Sequence, residues 1–152
     1  MPQKKILAIS SPGGHWIQLN KICDGLLKQQ DYKIVYAVPA ALFQSKQADK
    51  KLYNIVDVSA DNKLMLIPCA IQVLYILLKE RPDTVISTGA APGVVTMLLA
   101  KFLRINRIWV DSIANVKQLS RSGRMVKNHV TIFLTQWQHL ADDKAQFKGA
   151  IL

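Results

Sequence analysis

The stretch Lys5-Ile6-Leu7-Ala8-Ile9-Ser10, followed at once by Ser11-Pro12-Gly13-Gly14-His15, decides the fold class. A short apolar run that stops at a proline and two glycines is the pattern of a buried strand feeding a tight turn. Two glycines let the backbone reverse sharply and let a ligand approach it closely. A helix is predicted next, from about His15 to Gln29, with Leu19, Ile22, Leu26 and Leu27 on one face.

The same alternation continues outward along the chain. Lys33 to Val38 reads as a second strand closed by Pro39, followed by a short polar helix near Ala41 to Lys50 and a third strand from Tyr53 to Val58. Leu66 to Lys79 reads as a helix, with Pro68 tolerable in its first turn. Pro82 biases Arg81 away from helical geometry, so that helix should end at Arg81-Pro82-Asp83. Thr84 to Ser87 is a fourth strand, and Val94 to Leu103 a buried helix with Pro92 near its start. Arg107 to Asp111 and Val130 to Leu134 are strands five and six, and a final turn carries Gly149. Strands and helices at this spacing imply a parallel sheet with right-handed crossovers. The expected fold is a Rossmann-like three-layer α/β domain, and residues 1–152 are expected to form one such domain.

Composition excludes several classes. Half of the 152 residues are hydrophobic, 20% are charged, and mean hydropathy is +0.13, so the chain has material for a core and is not a disordered polymer. Cys23 and Cys69 lack any paired spacing and read as reduced core residues, without a disulfide scaffold or a zinc site. The apolar run Ile6 to Ile9 is too short for a signal peptide, so the chain is expected to stay in the cytosol. Leu64 to Leu78 is uncharged over fifteen residues, short of the roughly 20 that span a bilayer. Such a helix is either core or lies partly against a membrane or a partner, and burial is the usual fate of so short an apolar run. Trp16, Trp109 and Trp137 fit an interface, but each falls where a core residue is expected.

Ligands of open parallel sheets sit outside the carboxyl ends of the strands, where strand order reverses. The turns after strands one, four and five are therefore the candidate site. In the first, Ser11, Gly13 and Gly14 shape the loop, and His15 stands at the mouth of the crevice. An imidazole there suits general-base work on a hydroxyl, or simply packs on the helix. Neither a dinucleotide fingerprint nor a phosphate-binding P-loop can be read at this turn. The second turn, Ser87-Thr88-Gly89-Ala90-Ala91-Pro92-Gly93, is built of small residues that leave room for a ligand or permit tight packing. Its hydroxyls are placed to cap the following helix.

The third region sets the electrostatics. The net charge is +10, with a pI near 9.8, which favours phosphates, nucleic acid or an acidic membrane surface as partners. Between Lys101 and Lys127 lie seven basic residues and one acid, Asp111. Lys117, Arg121, Arg124 and Lys127 would align on one face if the stretch were helical, although Ser122-Gly123 makes a loop or broken helix an equal alternative. The cluster is either a solvated basic face or a phosphate and membrane contact. With no DNA- or RNA-binding motif in the chain, nucleic acid is not the expected partner.

Taken in order, Ser11-Pro12-Gly13-Gly14-His15, Arg81-Pro82-Asp83 leading to Ser87-Thr88-Gly89-Ala90-Ala91-Pro92-Gly93, and Asp111-Ser112 through Leu119-Ser120-Arg121-Ser122-Gly123-Arg124 resemble the PssD-type proteins of exopolysaccharide and capsule assembly. Thr135-Gln136-Trp137 fits the same likeness, which covers essentially the whole chain. Those proteins are similar to the membrane-anchoring subunit of the eukaryotic two-chain N-acetylglucosamine transferase of lipid-linked glycan synthesis. The resemblance implies the amino-terminal half of a MurG-like GT-B glycosyltransferase, with a PssE-type partner subunit carrying the UDP-sugar site. The reaction it implies is an inverting, metal-independent transfer to a polyprenyl-diphosphate-linked acceptor, with no cofactor.

Carried over residue by residue, Gly13, Gly14 and His15 match the Gly-Gly-His loop, in which the histidine is the candidate base. Thr88, Gly89, Ala90 and Gly93 would shape the acceptor side together with Ser11 and Asp111. Arg121 and Arg124, flanked by Lys117 and Lys127, would meet the diphosphate or anionic headgroups. Eukaryotic anchors carry an amino-terminal transmembrane helix that has no counterpart in this sequence, so membrane attachment is expected to be peripheral. The alternative is a non-catalytic membrane-recruitment and activator protein for the partner transferase.

Overall fold

The computed structural model describes residues 2–39, 50–59 and 61–151. Seven strands form a single sheet in the order β3-β2-β1-β4-β5-β6-β7, and every neighbouring pair is parallel. They are β1 (Lys4–Ile9), β2 (Tyr32–Pro39), β3 (Lys51–Ile55), β4 (Thr84–Ser87), β5 (Asn106–Val110), β6 (Ile132–Thr135) and β7 (Ala145–Phe147). Among the described residues four α-helices lie between them: α1 (Gly14–Leu27), α2 (Leu66–Glu80), α3 (Ala90–Phe102) and α4 (Arg121–Val126). The α/β class and the parallel sheet are as expected, and the polar helix expected over 41–50 falls almost wholly outside the described residues.

Alternation along β1 divides the core. Leu7 and Ile9 face the layer made by α2, α3 and α4, while Ile6 and Ala8 face α1 with Trp16, Leu19 and Cys23. With both faces covered, the central strands can be apolar throughout, which is why β1 and β2 read as unbroken hydrophobic runs. Trp16 and Trp109 are buried and Trp137 is half-buried. Cys23 and Cys69 belong to opposite faces of the sheet, and burial pushes their thiols up to about 12 and about 11. Both are therefore neutral core residues.

Four details depart from expectation. Helix α3 begins at Ala90 rather than Val94, because Pro92 is its third residue, where a missing N–H breaks no helical bond. Strand β3 spans Lys51–Ile55 rather than Tyr53 to Val58. Strand β7 was not predicted: three residues after a charged stretch carry no periodic signal, and the Asp142 carboxylate organises the turn by accepting from the Lys144 and Ala145 amides. Of the aligned cations, only Arg121 and Arg124 lie within the six-residue α4; Lys117 precedes it and Lys127 caps its end. Helix α2 does stop at Arg81, which adopts φ 46°, ψ 58° ahead of Pro82.

At the opposite end of the sheet from the candidate turns, the Glu80 carboxylate closes the structure. Only 4% exposed, it accepts from Lys51 Nζ at 2.6 Å, from Lys5 Nζ at 3.2 Å and from the Tyr53 hydroxyl. Burial pushes the carboxyl up, but the hydrogen bonds from Lys51, Tyr53 and Lys5 outweigh it and hold it at about 2, against an ordinary 4.5. A folded value below the unfolded one means stability that is complete above about pH 5 and lost as pH falls towards 2. Glu80→Gln should therefore lower neutral-pH stability by about 2 kcal/mol, less than a fully buried pair because the lysines reach solvent. It should also flatten the acid limb of the stability curve, as measured by urea unfolding at stepped pH. An acid limb as steep as that of the native protein would remove Glu80 from this role.

Candidate functional site

Strand order reverses between β1 and β4, whose following helices lie on opposite faces of the sheet. The loops after these strands meet at the crevice this creates. They are locked by a reciprocal pair of hydrogen bonds: His15 Nδ1 donates to the Thr88 carbonyl at 2.9 Å, and Thr88 Oγ1 donates to the His15 carbonyl at 2.7 Å. A carbonyl oxygen only accepts, so the proton of the neutral ring is on Nδ1 and the lone pair on Nε2. Half-buried His15 is thus oriented by one nitrogen and can accept a proton with the other.

Glycine is required beneath that ring. A Cβ on Gly89 would lie 2.4 Å from His15 Cε1 and 2.6 Å from Nδ1, and Gly89 adopts φ +144°. The next residue, Ala90, is held at φ 67°, a left-handed conformation that costs a non-glycine residue about 1–2 kcal/mol. Strain of this kind persists only where the surroundings enforce it, and at Ala90 it directly follows the Gly89–His15 contact.

Helices α1 and α3 both start at this crevice, from Gly13 and Gly89. Neither has a side-chain cap or an acid in its first turn. The expected capping of α3 by Ser87 or Thr88 does not occur: the Ser87 hydroxyl accepts from the Gly89 amide, and that of Thr88 is engaged by His15. Two uncapped helix starts give the crevice free N–H groups and positive dipole ends, which favour an anion. Ser11 is half-buried at its edge, and Gly13 and Gly14 are exposed. Gly93 lies elsewhere. It is buried in α3, where a Cβ would meet Ser87 Oγ at 2.3 Å and Trp109 at 3.1 Å, so it serves helix–sheet packing rather than an acceptor.

Asp111 also works from within. At 2% exposure, its carboxylate accepts from Trp109 Nε1, from the Ser120 amide and from the Ser120 hydroxyl. The Ser120 oxygen in turn accepts from the Gly123 amide and caps α4. Asp111 therefore reaches the crevice only through the segment it holds. Beside it lies a buried amide network that the sequence did not flag. Gln136 Nε2 donates to Gln18 Oε1 at 2.6 Å and to the Asp111 carbonyl at 2.9 Å, while Gln18 also contacts Ser112 and the Ile113 amide. The Ile151 amide donates to Gln136 Oε1, which ties the last described residues to α1. The resemblance through Gln136-Trp137 carried the only hint of this; nothing in the spacing of Gln18 marks it as buried.

The basic residues have separate fates. Exposed Arg121 lines an apolar groove of about 530 Å³ with Lys63, Ala90, Val94, Leu98 and Met125, beginning at the first turn of α3. Arg124 donates to Gln118 Oε1 at 2.9 Å. Lys127 pairs with Asp142, whose carboxyl that ammonium and the Lys144 and Ala145 amides hold down to about 2. Lys117 is exposed in the segment before α4. Of these four, Arg121 alone lines the groove that begins at Ala90. Among the described residues no cluster of histidine, cysteine and carboxylate groups is arranged to hold a metal ion.

Known proteins share this architecture. A family model described as "Oligosaccharide biosynthesis protein Alg14 like" matches residues 56–151. The UDP-N-acetylglucosamine transferase subunit alg14 of Schizosaccharomyces pombe is 36% identical over 77 residues, 46% of this chain and 37% of that protein. The crystal structure of MurG from Acinetobacter baumannii superimposes with a TM-score of 0.76 at 11% identity, over 93% of this chain and 44% of that one. UDP-N-acetylglucosamine 2-epimerase from Rickettsia bellii gives 0.74 at 14% identity, over 97% and 45%. The chain spans less than half the length of each of these relatives. The structural likenesses establish the fold, a Rossmann-like domain equivalent to half of a two-domain protein.

Proposed function

This chain belongs to the Alg14-like family of oligosaccharide biosynthesis proteins, and from that premise we propose that it is one subunit of a heteromeric UDP-sugar glycosyltransferase. It supplies the acceptor side as a single domain over residues 1–152, and a second subunit supplies the UDP-sugar site. The acceptor is a polyprenyl-diphosphate-linked glycan of exopolysaccharide or capsule synthesis, met at the cytoplasmic face of the membrane through peripheral contact. The observation that carries this reading is the His15–Thr88 lock, which joins two uncapped helix starts and leaves Nε2 free.

In the reaction, His15 Nε2 takes the proton of the acceptor hydroxyl while that oxygen attacks the anomeric carbon of the donor sugar. The bond to UDP breaks, UDP leaves with the electron pair, and the anomeric configuration inverts. The starts of α1 and α3, with Arg121, hold the acceptor diphosphate. Ser11, Gly13, Gly14, Thr88, Gly89 and Ala90 shape the surface on which the acceptor lies.

A second reading has a specific observation behind it. His15 bonds to Thr88 twice, its ring donating to the Thr88 carbonyl and its own carbonyl accepting from the Thr88 hydroxyl, so it also acts as a staple, as a non-catalytic recruiter and activator would require. The first test is division of labour. The purified chain should transfer no sugar from a UDP-sugar to a polyprenyl-diphosphate acceptor, and adding the partner subunit should restore transfer. Full turnover by this chain alone would overturn the two-subunit assignment.

A further inference from the structure

The two bonds to Thr88 fix which nitrogen of His15 carries the proton, but they act on a ring that α1 carries. That helix starts without a cap, so its rotation about its own axis must be set further along. Gln18 lies three residues on, about one turn away and on the same side of the helix. It is only 8% exposed, and glutamine is seldom buried unless its amide is engaged. Here both ends are engaged. Gln18 Oε1 accepts from Gln136 Nε2 at 2.6 Å and from the Ile113 amide at 3.3 Å, and Gln18 Nε2 donates to Ser112 Oγ at 3.3 Å.

Backbone groups dictate the direction of each amide. The Asp111 carbonyl can only accept, so the Gln136 nitrogen faces it, and the Ile151 amide can only donate, so the Gln136 oxygen faces that side. The Ile113 amide fixes the Gln18 oxygen in the same way. These partners belong to a unit that is already strapped together. Trp137 Nε1 donates to the Ile113 carbonyl at 2.8 Å and His139 Nε2 to the Val116 carbonyl at 2.6 Å, tying the segment after β5 to the segment after β6. Gln18 joins α1 to that unit.

We infer that Gln18, oriented by Gln136, is a positioning residue for His15: it sets the rotation of the first turns of α1 and so the direction in which Nε2 points into the crevice. The inference rests on the reading of His15 as the base. Rotation of α1 would draw the imidazole off the Thr88 carbonyl, and Gln18 opposes that rotation from the β5–β6 side. Apolar contacts alone are non-directional, whereas hydrogen bonds specify an angle. A buried polar network with its partners satisfied rigidifies the elements it joins. Thr88 on one side and the amide pair on the other thus hold the ring between them.

Gln18→Met keeps the length of the side chain and removes its amide. It should lower kcat of the reconstituted transferase by about 10- to 100-fold, as small misplacements of a reacting group do, with KM for the acceptor little changed. Two glutamate variants read the hydrogen bonds themselves. Gln18→Glu keeps oxygens towards Gln136 and Ile113, and the Ser112 hydroxyl can turn to donate to it, so most of the turnover should return. Gln136→Glu sets an oxygen against the Asp111 carbonyl and Gln18 Oε1, and should be as slow as Gln18→Met. Gln72→Met removes an amide bond to the Val56 backbone on the other face of the sheet and should leave turnover unchanged. Melting curves choose a temperature at which every variant is folded; should Gln18→Met not fold, the two glutamate variants decide. Nitrogen-15 NMR of the histidine-labelled chain reads the ring without partner or sugar. Native His15 should hold its neutral proton on Nδ1, and Gln18→Met should spread it over both nitrogens, while His129, before β6 at the opposite end of the sheet, stays unchanged. Unaltered His15 signals in Gln18→Met, equal turnover in the two glutamate variants, or an equal loss in Gln72→Met would each overturn the inference and leave the transferase reading standing. Failure of the native pair to transfer sugar would strike that reading instead, and the NMR comparison would still decide whether Gln18 positions His15.

Discussion

His15→Ala should lower turnover of the reconstituted two-subunit transferase by about 10²- to 10⁴-fold, the range that a positioned general base contributes, while complex formation persists. The imidazole is held by Nδ1 on the Thr88 carbonyl, so its loss removes the one ring nitrogen free to accept a proton. A second substitution separates base from staple. In His15→Asn the side-chain amide can still donate to the Thr88 carbonyl, but it has no basic nitrogen. If His15 is the base, asparagine will be as inactive as alanine. Recovery of near-native turnover by asparagine would mean that the residue only ties the two loops, and the recruiter reading would then stand. The Thr88 hydroxyl, which donates to the His15 carbonyl, fixes the same loop from the other side.

The sheet was legible because both of its faces are covered. A strand buried on both sides must be apolar at every position, and Lys5 to Ser10, Lys33 to Val38 and Thr84 to Ser87 announce themselves as such runs. The site was legible as far as glycine and position go: Gly13, Gly14 and His15 follow the first strand, and parallel sheets bind at strand ends. What failed were features set by contacts distant in sequence. The start of α3 was misplaced because Pro92-Gly93 reads as a turn, whereas Gly93 is demanded by Ser87 and Trp109 lying against it. Asp111 looked like a ligand contact because it ends a strand, yet Ser120, nine residues on, takes up both of its oxygens. Gln18 and Gln136 are 118 residues apart and meet only in the folded protein. The uncharged run from Leu64 to Leu78 left open whether it was core or surface, and α2 is both, one side to each.

Gly89 carries the other large effect. Its backbone, φ +144° and ψ −172°, belongs to a region nearly restricted to glycine, and alanine there is strained by about 1–3 kcal/mol. The added Cβ would also come within 2.6 Å of two imidazole atoms, so the His15 ring must swing away and give up its bond to Thr88, worth about 1 kcal/mol more. Gly89→Ala should therefore destabilise the domain by about 2–4 kcal/mol and inactivate the reconstituted enzyme nearly as fully as His15→Ala. Gly13→Ala is the comparison that isolates the collision. Gly13 also has positive φ, +86°, with ψ −141°, but a Cβ there meets nothing within 4 Å, so only backbone strain of about 1–3 kcal/mol is added and His15 keeps its place. Combining Gly89→Ala with His15→Ala removes the obstructing ring, and the two stability losses should then sum to less than their separate values. Strict additivity in chemical unfolding would show that the methyl group does not act through His15, and the close approach of the two loops would lose its claim to position the base.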